Sequence, residues 1–245
     1  MRELSAPELL EIWECGSAQT ATERALTLLA AARPDLKADA LARLSIGQRD
    51  WLLLSLREST FGRRLAAITN CPDCRDQLEL AFEVDDVRLP EARVDSDQAA
   101  ALAFAGYELR FRLPHSFDLM AAAAAGDAAA ARQILRKRCL LSARSGDQEI
   151  EIDQLPGAVL ERVEQEMVKL DAQANIQLEL RCPSCHRGWT AGFDILAFFW
   201  SELDAWAQRL MVEVHKLAQA YGWSEADILA MSPIRRNIYL NIVNG

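Results

Sequence analysis

The sequence lacks the apolar segments that membrane proteins and exported proteins carry. Although 51% of its 245 residues are hydrophobic, no uninterrupted apolar run approaches the ~18 residues that a membrane helix requires. Residues 1–5 are not followed by the hydrophobic region of a signal peptide. We therefore expect no membrane span and a cytoplasmic protein.

The sequence also lacks the motifs by which many enzymes are recognised. It has no glycine-rich phosphate loop, no Gly-x-Ser-x-Gly motif and no general base beside a nucleophile. His115 and His215 have no acidic or thiol companion at ligand spacing, so we interpret both as surface or capping residues. The pattern predicts a protein without enzymatic activity.

Positive charge is scarce in this chain. There are 27 Lys and Arg residues against 36 Asp and Glu residues, which gives a net charge of −9. The basic clusters at 63–64, 136–138 and 235–236 are short and scattered, and we interpret each as a solvated helix face. Proteins that bind nucleic acids usually concentrate basic residues on one face. The sequence therefore predicts no nucleic-acid partner.

Cysteine is rare, but four of the six cysteines are arranged in pairs. They form two Cys-Pro-x-Cys motifs, Cys71 with Cys74 and Cys182 with Cys185. Each such turn points two thiolates at one place, and two turns complete a tetrahedral shell around Zn²⁺. The motifs are 107 residues apart (182 − 74 − 1), so one ion would join distant parts of the chain. Four thiolates leave no open position for water or substrate, which predicts one structural zinc ion per chain.

Other interpretations of the cysteines remain open at this point. Two redox motifs of the thioredoxin type would lie where a strand leads into a helix, whereas Cys74 and Cys185 lead into alternating segments typical of strands. His186 adjoins the second motif and could replace one sulfur. Cys15 and Cys139 stand apart from the pairs, and we interpret both as small buried apolar residues.

Helix and strand signals follow one another in blocks. Hydroxyl residues with Glu or Gln three positions later predict helix starts at Ser5, Thr20 and Ser45. Alternating apolar residues follow the first Cys motif and flank the second, as in a zinc ribbon. We predict an α+β fold, mainly α-helical, in which a small zinc-ribbon-like β element with a long insert joins two helical parts. The predicted regions are 1–68, an N-terminal helical unit; 69–86 and 174–194, the two halves of the ribbon; 87–173, a mixed α/β insert; and 195–245, the C-terminal helices.

Several helix boundaries follow from local signals. Residues 61–65 are expected to begin a short helix that leads to the first Cys motif. Ser116 or Asp118 is expected to cap an alanine-rich helix that is interrupted at residues 126–127. Asp194 is expected to cap a long amphipathic helix.

The motifs follow one another in a definite order along the chain. They run as Phe61-Gly62-Arg63-Arg64-Leu65, Cys71-Pro72-x-Cys74, Phe111-Arg112-Leu113-Pro114, Asp118-Leu119, Arg138-Cys139-Leu140, Cys182-Pro183-x-Cys185, Phe193-Asp194-Ile195, Trp206, Gly222-Trp223-Ser224-Glu225-x-Asp227-Ile228-Leu229, Pro233-x-Arg235-Arg236 and Tyr239-Leu240. This order resembles the phage T4-type baseplate protein family, described as baseplate hub assembly chaperones. The family is found in contractile phage tails and in bacterial contractile injection systems. The resemblance spans almost the whole chain, although only the two Cys motifs are specific when taken alone.

The resemblance implies a role in assembly. It points to a zinc-stabilised, non-enzymatic assembly factor or minor structural component of a baseplate, with hub or spike subunits as partners. The alternative is a general zinc-ribbon adaptor that binds another protein or a nucleic acid. That adaptor would need a clustered basic face with exposed aromatic residues, which the sequence does not show.

The two C-terminal helices form the predicted partner-binding surface. Their aromatic and aliphatic residues are of the kind that dominate interface energetics. At helical spacing the same residues could equally pack into the core of their own chain. They are Trp223, Ile228, Leu229, Ile234, Ile238 and Tyr239.

Overall fold

The computed structural model describes residues 1–90 and 99–244. It is α+β and mainly helical, as predicted. The α-helices are α1 Ala6–Gly16, α2 Ala21–Ala32, α3 Ala38–Arg43, α4 Ile46–Phe61, α5 Val84–Val87, α6 Ser116–Ala123, α7 Ala128–Cys139, α8 Gly157–Leu170, α9 Ile195–Tyr221, α10 Glu225–Leu229 and α11 Pro233–Asn244. The strands are β1 Arg64–Asn70, β2 Gln77–Glu83, β3 Ala100–Phe104, β4 Tyr107–Phe111, β5 Leu140–Ser145, β6 Gln148–Glu149, β7 Gln177–Arg181 and β8 Gly188–Gly192. Part of the predicted insert, residues 91–98, and Gly245 of the C-terminal part lie outside the described residues.

The N-terminal helices begin where the capping signals predicted. Ser5, Thr20 and Ser45 are the N-cap residues of α1, α2 and α4, and each forms a reciprocal capping box with the residue three positions later. These boxes satisfy backbone N–H groups that have no partner inside the helix. Helix α3 was not predicted, because its N-cap, Lys37, offers no side-chain acceptor.

One apolar cluster joins the N-terminal helices to the first half of α9. Its members come from α1 to α4, from the base of the first hairpin and from α9. Phe61 at the end of α4 meets Phe199 of α9 edge to face, with ring centroids 5.9 Å apart. Burying a Leu or Phe side chain stabilises a fold by about 1.5–3 kcal/mol, so this cluster is the main apolar core. Its fully buried large side chains include Leu28, Leu29, Leu53, Leu54, Leu56, Phe199 and Leu203.

The prediction of a short helix over residues 61–65 is wrong. Helix α4 continues through Phe61 and ends at Gly62, whose φ of 88° lies in the region that favours glycine. The chain then becomes β1, which pairs antiparallel with β2. Leu65 enters the core from this strand. Alternate side chains of β1 face the core and the solvent. The pairing of β1 with β2 therefore determines the local conformation, in place of the predicted helix.

A buried arginine fixes the junction of α4, β1 and α9. The Arg57 side chain is 2% exposed and donates two hydrogen bonds to the Glu202 carboxylate, at 2.7 and 2.6 Å. It also donates to the carbonyl oxygens of Gly62 and Arg64. Both a carboxylate and backbone acceptors face this buried guanidinium and offset the cost of its burial. The start of the first hairpin is thus tied to the long helix.

The segment between the Cys motifs contains a second layer. Strands β3 to β6 form one antiparallel sheet in sequential order, and α8 covers it. Helices α6 and α7 are separate, as predicted, and the Asp127 side chain accepts from Ala130 N–H to cap α7. The N-cap of α6 is His115, not Ser116 or Asp118 as predicted. Asp118 lies at the third helical position, where its carboxylate accepts a hydrogen bond from His115 N–H.

The C-terminal part consists of α9 and the two short helices that pack on it. The Asp194 carboxylate accepts from Ala197 N–H at 3.0 Å and caps α9, as predicted. The helix ends at Gly222, with φ 69° in the left-handed region. Ile228 and Leu240 bury against the second half of α9. No helix in the described ranges is both long and apolar enough to cross a membrane.

Candidate metal centre

Each Cys motif forms the turn of a two-stranded hairpin. The first lies between β1 and β2, where the last backbone pair is Asn70 with Gln77. The second lies between β7 and β8, where it is Arg181 with Gly188. Each turn therefore has six residues. Strands follow the first motif and flank the second, as predicted, whereas the strand before the first motif, β1, replaces the short helix expected there. The two hairpins are separate sheets with no backbone pairing between them among the described residues, so a single continuous ribbon sheet is not formed.

The first turn is closed by two backbone hydrogen bonds. Cys71 N–H donates to the Asp76 carbonyl oxygen at 2.9 Å, and Arg75 N–H donates to the Cys71 carbonyl oxygen at 3.0 Å. Arg75 has φ 62°, a conformation that residues other than glycine rarely adopt. This bend turns Cys71 and Cys74 toward the same side of the hairpin end.

The second turn repeats this geometry at the equivalent residues. Cys182 N–H donates to the Arg187 carbonyl oxygen at 2.9 Å, and His186 N–H donates to the Cys182 carbonyl oxygen at 3.0 Å. His186 has the same φ of 62° as its counterpart. Its side chain is exposed and does not belong to the cysteine group. The sequence therefore encodes the same turn twice, at residues 71–76 and 182–187, and we call each of these turns a knuckle. His186 lies at the bend position of the second knuckle and outside the cysteine group.

The four sulfur atoms of the knuckles converge. All lie within 4.8 Å of one another, and two contacts between the knuckles, Cys71 with Cys185 and Cys74 with Cys182, measure 3.6 Å each. A tetrahedral site with Zn–S bonds near 2.3 Å requires sulfur–sulfur separations of about 3.8 Å. The four cysteines therefore form a group that could hold a metal ion of this size.

Polar contacts between the knuckles follow the same two-fold pattern. The Ser184 hydroxyl, third in its turn, donates to the carboxylate of Asp76, sixth in the other turn. Reciprocally, the third residue Asp73 pairs with the sixth residue Arg187, at 3.7 Å. The first cysteine of each knuckle likewise meets the second cysteine of the other. The knuckles thus approach each other as two related halves of one site.

Burial divides the sulfur shell into an inner and an outer half. Cys71 and Cys182 are buried, whereas Cys74 and Cys185 are exposed. Leu78 forms the apolar floor beneath the inner pair, with Leu80 and Trp189 at its edge. This floor is small, so the sulfur shell is the main link between the hairpin ends.

The surroundings of the thiols explain why a cation suits the site. Desolvation opposes ionisation of Cys71, but the backbone N–H groups of Cys74 and Asp73 outweigh it and lower the pKa of that thiol to about 7. The N–H of Asp76 favours the Cys74 thiolate, yet desolvation and the neighbouring sulfur atoms raise its pKa to about 12. Four thiolates so close together repel one another, and a divalent cation bound there would take the place of their protons.

A family model described as T4 bacteriophage base plate protein matches residues 9–200. The chain belongs to this family. The matched range includes both knuckles and the segment between them, and it ends within α9. No curated protein and no solved structure matches the chain. The resemblance inferred from the order of motifs is therefore confirmed at the level of the base plate family.

In this base plate protein, the two cysteines outside the knuckles differ in their exposure to solvent. Cys139 is buried, as predicted, and burial raises the pKa of its thiol to about 12. Cys15 is exposed, and its prediction as a buried residue is wrong. The buried face of α1 is formed by Leu9 and Ile12 with their neighbours, and Cys15 lies off that face.

The histidines also need one correction. His115 is buried, and its Nδ1 lies 3.2 Å from the Asp118 carboxylate. The prediction that His115 has no acidic companion is therefore wrong. Burial lowers its pKa. The spacing of three residues across a helix start was the signal that could have revealed this pair. His215 is exposed, as predicted.

The basic clusters are not simply solvated. Arg138 donates to the fully buried carboxylate of Asp118, which also receives two hydrogen bonds from Arg112. Arg236 is buried, lies 3.3 Å from a carboxylate oxygen of Glu213 and donates to the carbonyl oxygen of Met231, two residues beyond α10. The prediction of a solvated face therefore fails for Arg236, whereas the Arg138 side chain stays 41% exposed while it pairs with Asp118. Charge pairing inside the fold was not visible in the spacing of the clusters.

The six residues predicted to bind a partner separate into two groups. Ile228 is fully buried against α9, and Trp223 stacks on Tyr221 with ring centroids 4.4 Å apart. Leu229 and Tyr239 are half-buried beside them. Ile234 and Ile238 are exposed instead. The structure thus does not bring the six side chains together on one surface.

Proposed function

We propose that this base plate protein is a zinc-stabilised, non-enzymatic assembly factor or minor structural component of a contractile tail or injection-system baseplate. Its partners are hub or spike subunits, and it functions in the cytoplasm, where thiols stay reduced. The observation that carries the proposal is the convergence of four sulfur atoms in a chain of this family. Cys71, Cys74, Cys182 and Cys185 would hold one zinc ion per chain.

The donor set supports a structural metal. Four thiolates around one Zn²⁺ close its coordination shell, so the ion supplies a cross-link and no reactive position. The cross-link joins residues 71–74 to residues 182–185, between which the whole four-stranded sheet is inserted. The metal would therefore fix the position of this insert relative to the helical core.

The hairpins themselves explain the need for a cross-link. An isolated two-stranded hairpin is at best marginally stable in water. In the described part of the chain, each knuckle hairpin is a two-stranded sheet, and the ends of the two hairpins share a small apolar floor. A metal bound at both tips supplies the stability that neither tip obtains from burial.

One group in the described part of the chain has the residue types of a nucleophilic site. Cys139, Asp118 and His115 lie together, with the sulfur 3.9 Å from the carboxylate. The raised pKa of Cys139 keeps the thiol protonated at neutral pH. Two arginines engage Asp118, which leaves it a structural anchor. This arrangement supports a role without catalysis.

The charge distribution favours a protein partner over a nucleic acid. The net charge is −9, and carboxylates engage arginines in the described basic clusters, as Glu164 engages Arg136 and Glu213 engages Arg236. Such pairing leaves little positive surface for a phosphate backbone. The alternative of a nucleic-acid adaptor is therefore the less favoured one.

The test combines metal analysis with reconstitution. Zinc would be quantified on the purified protein and on Cys182→Ser, with Cys15→Ser as a matched control for an exposed cysteine outside the shell. The same proteins would be titrated with purified hub and spike subunits of the baseplate. We expect about one zinc per chain in the wild-type protein and in the control, and loss of both zinc and subunit binding in Cys182→Ser.

Two results would contradict the proposal, one for the metal site and one for the assembly role. A wild-type protein that stays folded and metal-free after expression with excess zinc would refute the zinc clamp. A zinc-loaded protein that binds no hub or spike subunit would refute the assembly role.

A further inference from the structure

Helix α11 carries a stripe of exposed isoleucines. Ile234, Ile238 and Ile242 are 76%, 55% and 64% exposed. Their spacing of four residues places them one above another on one helix face. The opposite face carries Leu240 and Arg236, which are buried against the body of the protein. We call these three side chains the isoleucine stripe.

The orientation of α11 is unusual for a surface helix. Such a helix normally turns its apolar residues inward and its charged residues outward, whereas here an arginine is inside and three isoleucines are outside. Three large side chains at this exposure present a few hundred Å² of apolar surface, a patch size that often marks a binding site. The stripe lies beyond residue 200, outside the range matched by the base plate family.

The positive charge beside the isoleucine stripe favours a partner with an acidic surface. Helix α11 contains Arg235 and Arg236 and no acidic residue, within a chain whose net charge is −9. Arg236 is engaged by Glu213. Arg235 is exposed, its guanidinium lies 5.7 Å from the centre of the Tyr239 ring, and no carboxylate of the described residues forms an ion pair with it. An unneutralised cation therefore flanks the stripe.

We propose that the isoleucine stripe docks into an apolar groove with an acidic rim on a baseplate hub or spike subunit. The inference rests on the proposed function and names the surface through which it acts. An amphipathic helix in a groove, with anchors every three or four residues, is a common mode of recognition. The acidic rim follows from Arg235, which gains a partner only on a surface of opposite charge.

The same charge argues against a second copy of this chain as the occupant. Two stripes packed face to face would bring two α11 helices together, each with an exposed arginine and no acidic residue. Like charges placed opposite each other at an interface disfavour association. The helix is therefore suited to a different, acidic partner.

The size of the stripe predicts a weak contact. A stable interface buries about 800 Å² on each partner, which exceeds what three side chains can offer. Binding through the stripe alone is thus reversible, and its charged part weakens at high ionic strength.

The experiment compares single variants of the zinc-loaded full chain in titrations with purified hub and spike subunits. Ile234→Glu and Ile238→Glu place a carboxylate in the stripe, and Ile68→Glu is the matched control, since Ile68 is 65% exposed on the first hairpin. We expect the stripe variants to weaken subunit binding at least tenfold, on the order of the loss of one buried aliphatic anchor. Arg235→Glu is expected to weaken binding several-fold and to reduce its salt dependence. Ile68→Glu is expected to leave binding unchanged.

Zinc content and melting temperature, measured on every variant, show that the fold is retained. Wild-type binding that survives both stripe substitutions, or that is lost equally in Ile68→Glu, overturns the inference while the assembly role stands. A wild-type protein that binds no hub or spike subunit overturns the proposed function itself, and the inference with it. A dimer in sedimentation that dissociates on Ile238→Glu identifies a second copy as the occupant and also overturns the inference.

Discussion

The helical core and the paired knuckles lie side by side but depend on different interactions. The core cluster buries seventeen apolar residues from the N-terminal helices, the base of the first hairpin and α9. The cluster beneath the knuckles contains three buried residues, and two of them, Cys71 and Cys182, are cysteines. Apolar burial at about 25 cal/mol per Å² can hold the first region together. The second region has too little apolar surface to do the same.

The change from apolar burial to the sulfur shell occurs along each hairpin, between its base at the helical core and its tip at the cysteines. At the base of the first hairpin, Leu65 and Val84 are fully buried in the helical core. At its tip, Leu78 is the buried aliphatic residue that the structure describes under the sulfur shell, with the half-buried Leu80 beside it. We therefore expect a bound metal to stabilise the strands where they leave the core, and not where they start. Four predictions test this contrast, from the largest expected effect to the smallest.

Removal of zinc should separate the two regions. Chelation of the zinc-loaded protein is expected to abolish amide protection at the tips, residues 68–79 and 179–190, while amides of α2, α4 and α9 stay protected. The local loss approaches the ~10 kcal/mol that structural zinc contributes in small modules, since the polar contacts described between the tips, Ser184 with Asp76 and Asp73 with Arg187, are exposed to solvent. Hydrogen exchange with and without chelator measures it. Equal loss of protection in the helices would show that the core depends on the metal too.

Loss of the Arg57 guanidinium should damage the junction of the two regions. Arg57→Met leaves the Glu202 carboxylate and two backbone carbonyls without their donor. Breaking a buried ion pair in this way costs about 3–5 kcal/mol, and we expect the lower end because the Glu202 side chain is 29% exposed. Denaturant unfolding measures the effect, with Arg63→Met as the control, because the Arg63 side chain is 59% exposed. Similar losses in both variants would mean that burial at the junction has no special role.

Asp118, a buried carboxylate outside both regions, should make the free energy of unfolding fall at acidic pH. Burial opposes the charge of Asp118, but hydrogen bonds from Arg112, His115 N–H and Arg138 outweigh it and hold its pKa well below the usual value. A depressed pKa stabilises the fold fully above the unfolded value of about 3.9, and this contribution is lost as the pH falls toward the folded pKa.

The variant Asp118→Asn removes this contribution and should destabilise the protein by about 3 kcal/mol at pH 7. Unfolding free energies between pH 2 and pH 7 should fall more steeply on acidification in the wild-type protein than in the variant. Asp85→Asn is the control, since the Asp85 side chain is 59% exposed. Parallel pH profiles for wild type and Asp118→Asn would exclude the buried carboxylate as the source.

The smallest effect is expected inside the knuckles. Arg75 adopts φ 62°, where a side chain other than glycine is strained by about 1–2 kcal/mol. Arg75→Gly should relieve this strain and raise the thermal stability of the zinc-loaded protein slightly, the gain being reduced by the greater freedom of glycine in the unfolded chain. Arg187→Gly, at a position outside the left-handed region, should lower it. A clear loss of stability in Arg75→Gly would contradict the idea that the knuckle stores backbone strain.

Local signals predicted much of the fold because they depend on residues near in sequence. Capping boxes at Ser5, Thr20 and Ser45 lie where the helices begin. The break at 126–127 separates α6 from α7. These features are decided by backbone hydrogen bonds that a side chain three residues away can satisfy. The wrong helix over residues 61–65 failed because pairing with a distant strand, β2, determined its conformation.

In the candidate site, too, features set by residues near in sequence were predicted, and features set by distant residues were not. Two Cys-Pro-x-Cys turns were sufficient to predict the four converging cysteines, since each turn aligns its own pair of thiols. The pairing of Ser184 with Asp76 and of Asp73 with Arg187 could not be predicted, because it depends on how the two knuckles approach each other. The exposure of Ile234 and Ile238 was likewise hidden, because helical spacing is the same on a buried face and on an exposed one.

The sequence by itself therefore determined the helix starts at Ser5, Thr20 and Ser45, the two knuckles and the order of motifs that places this chain in the base plate family. Each of these depends on residues within one turn or on their succession along the chain. The tertiary structure alone decided which arginines are buried, which histidine has a carboxylate beside it and which face of α11 is exposed. Those outcomes depend on contacts between segments far apart in sequence, such as Arg57 with Glu202. Only a folded chain brings such groups within the few ångströms over which a hydrogen bond or an ion pair acts.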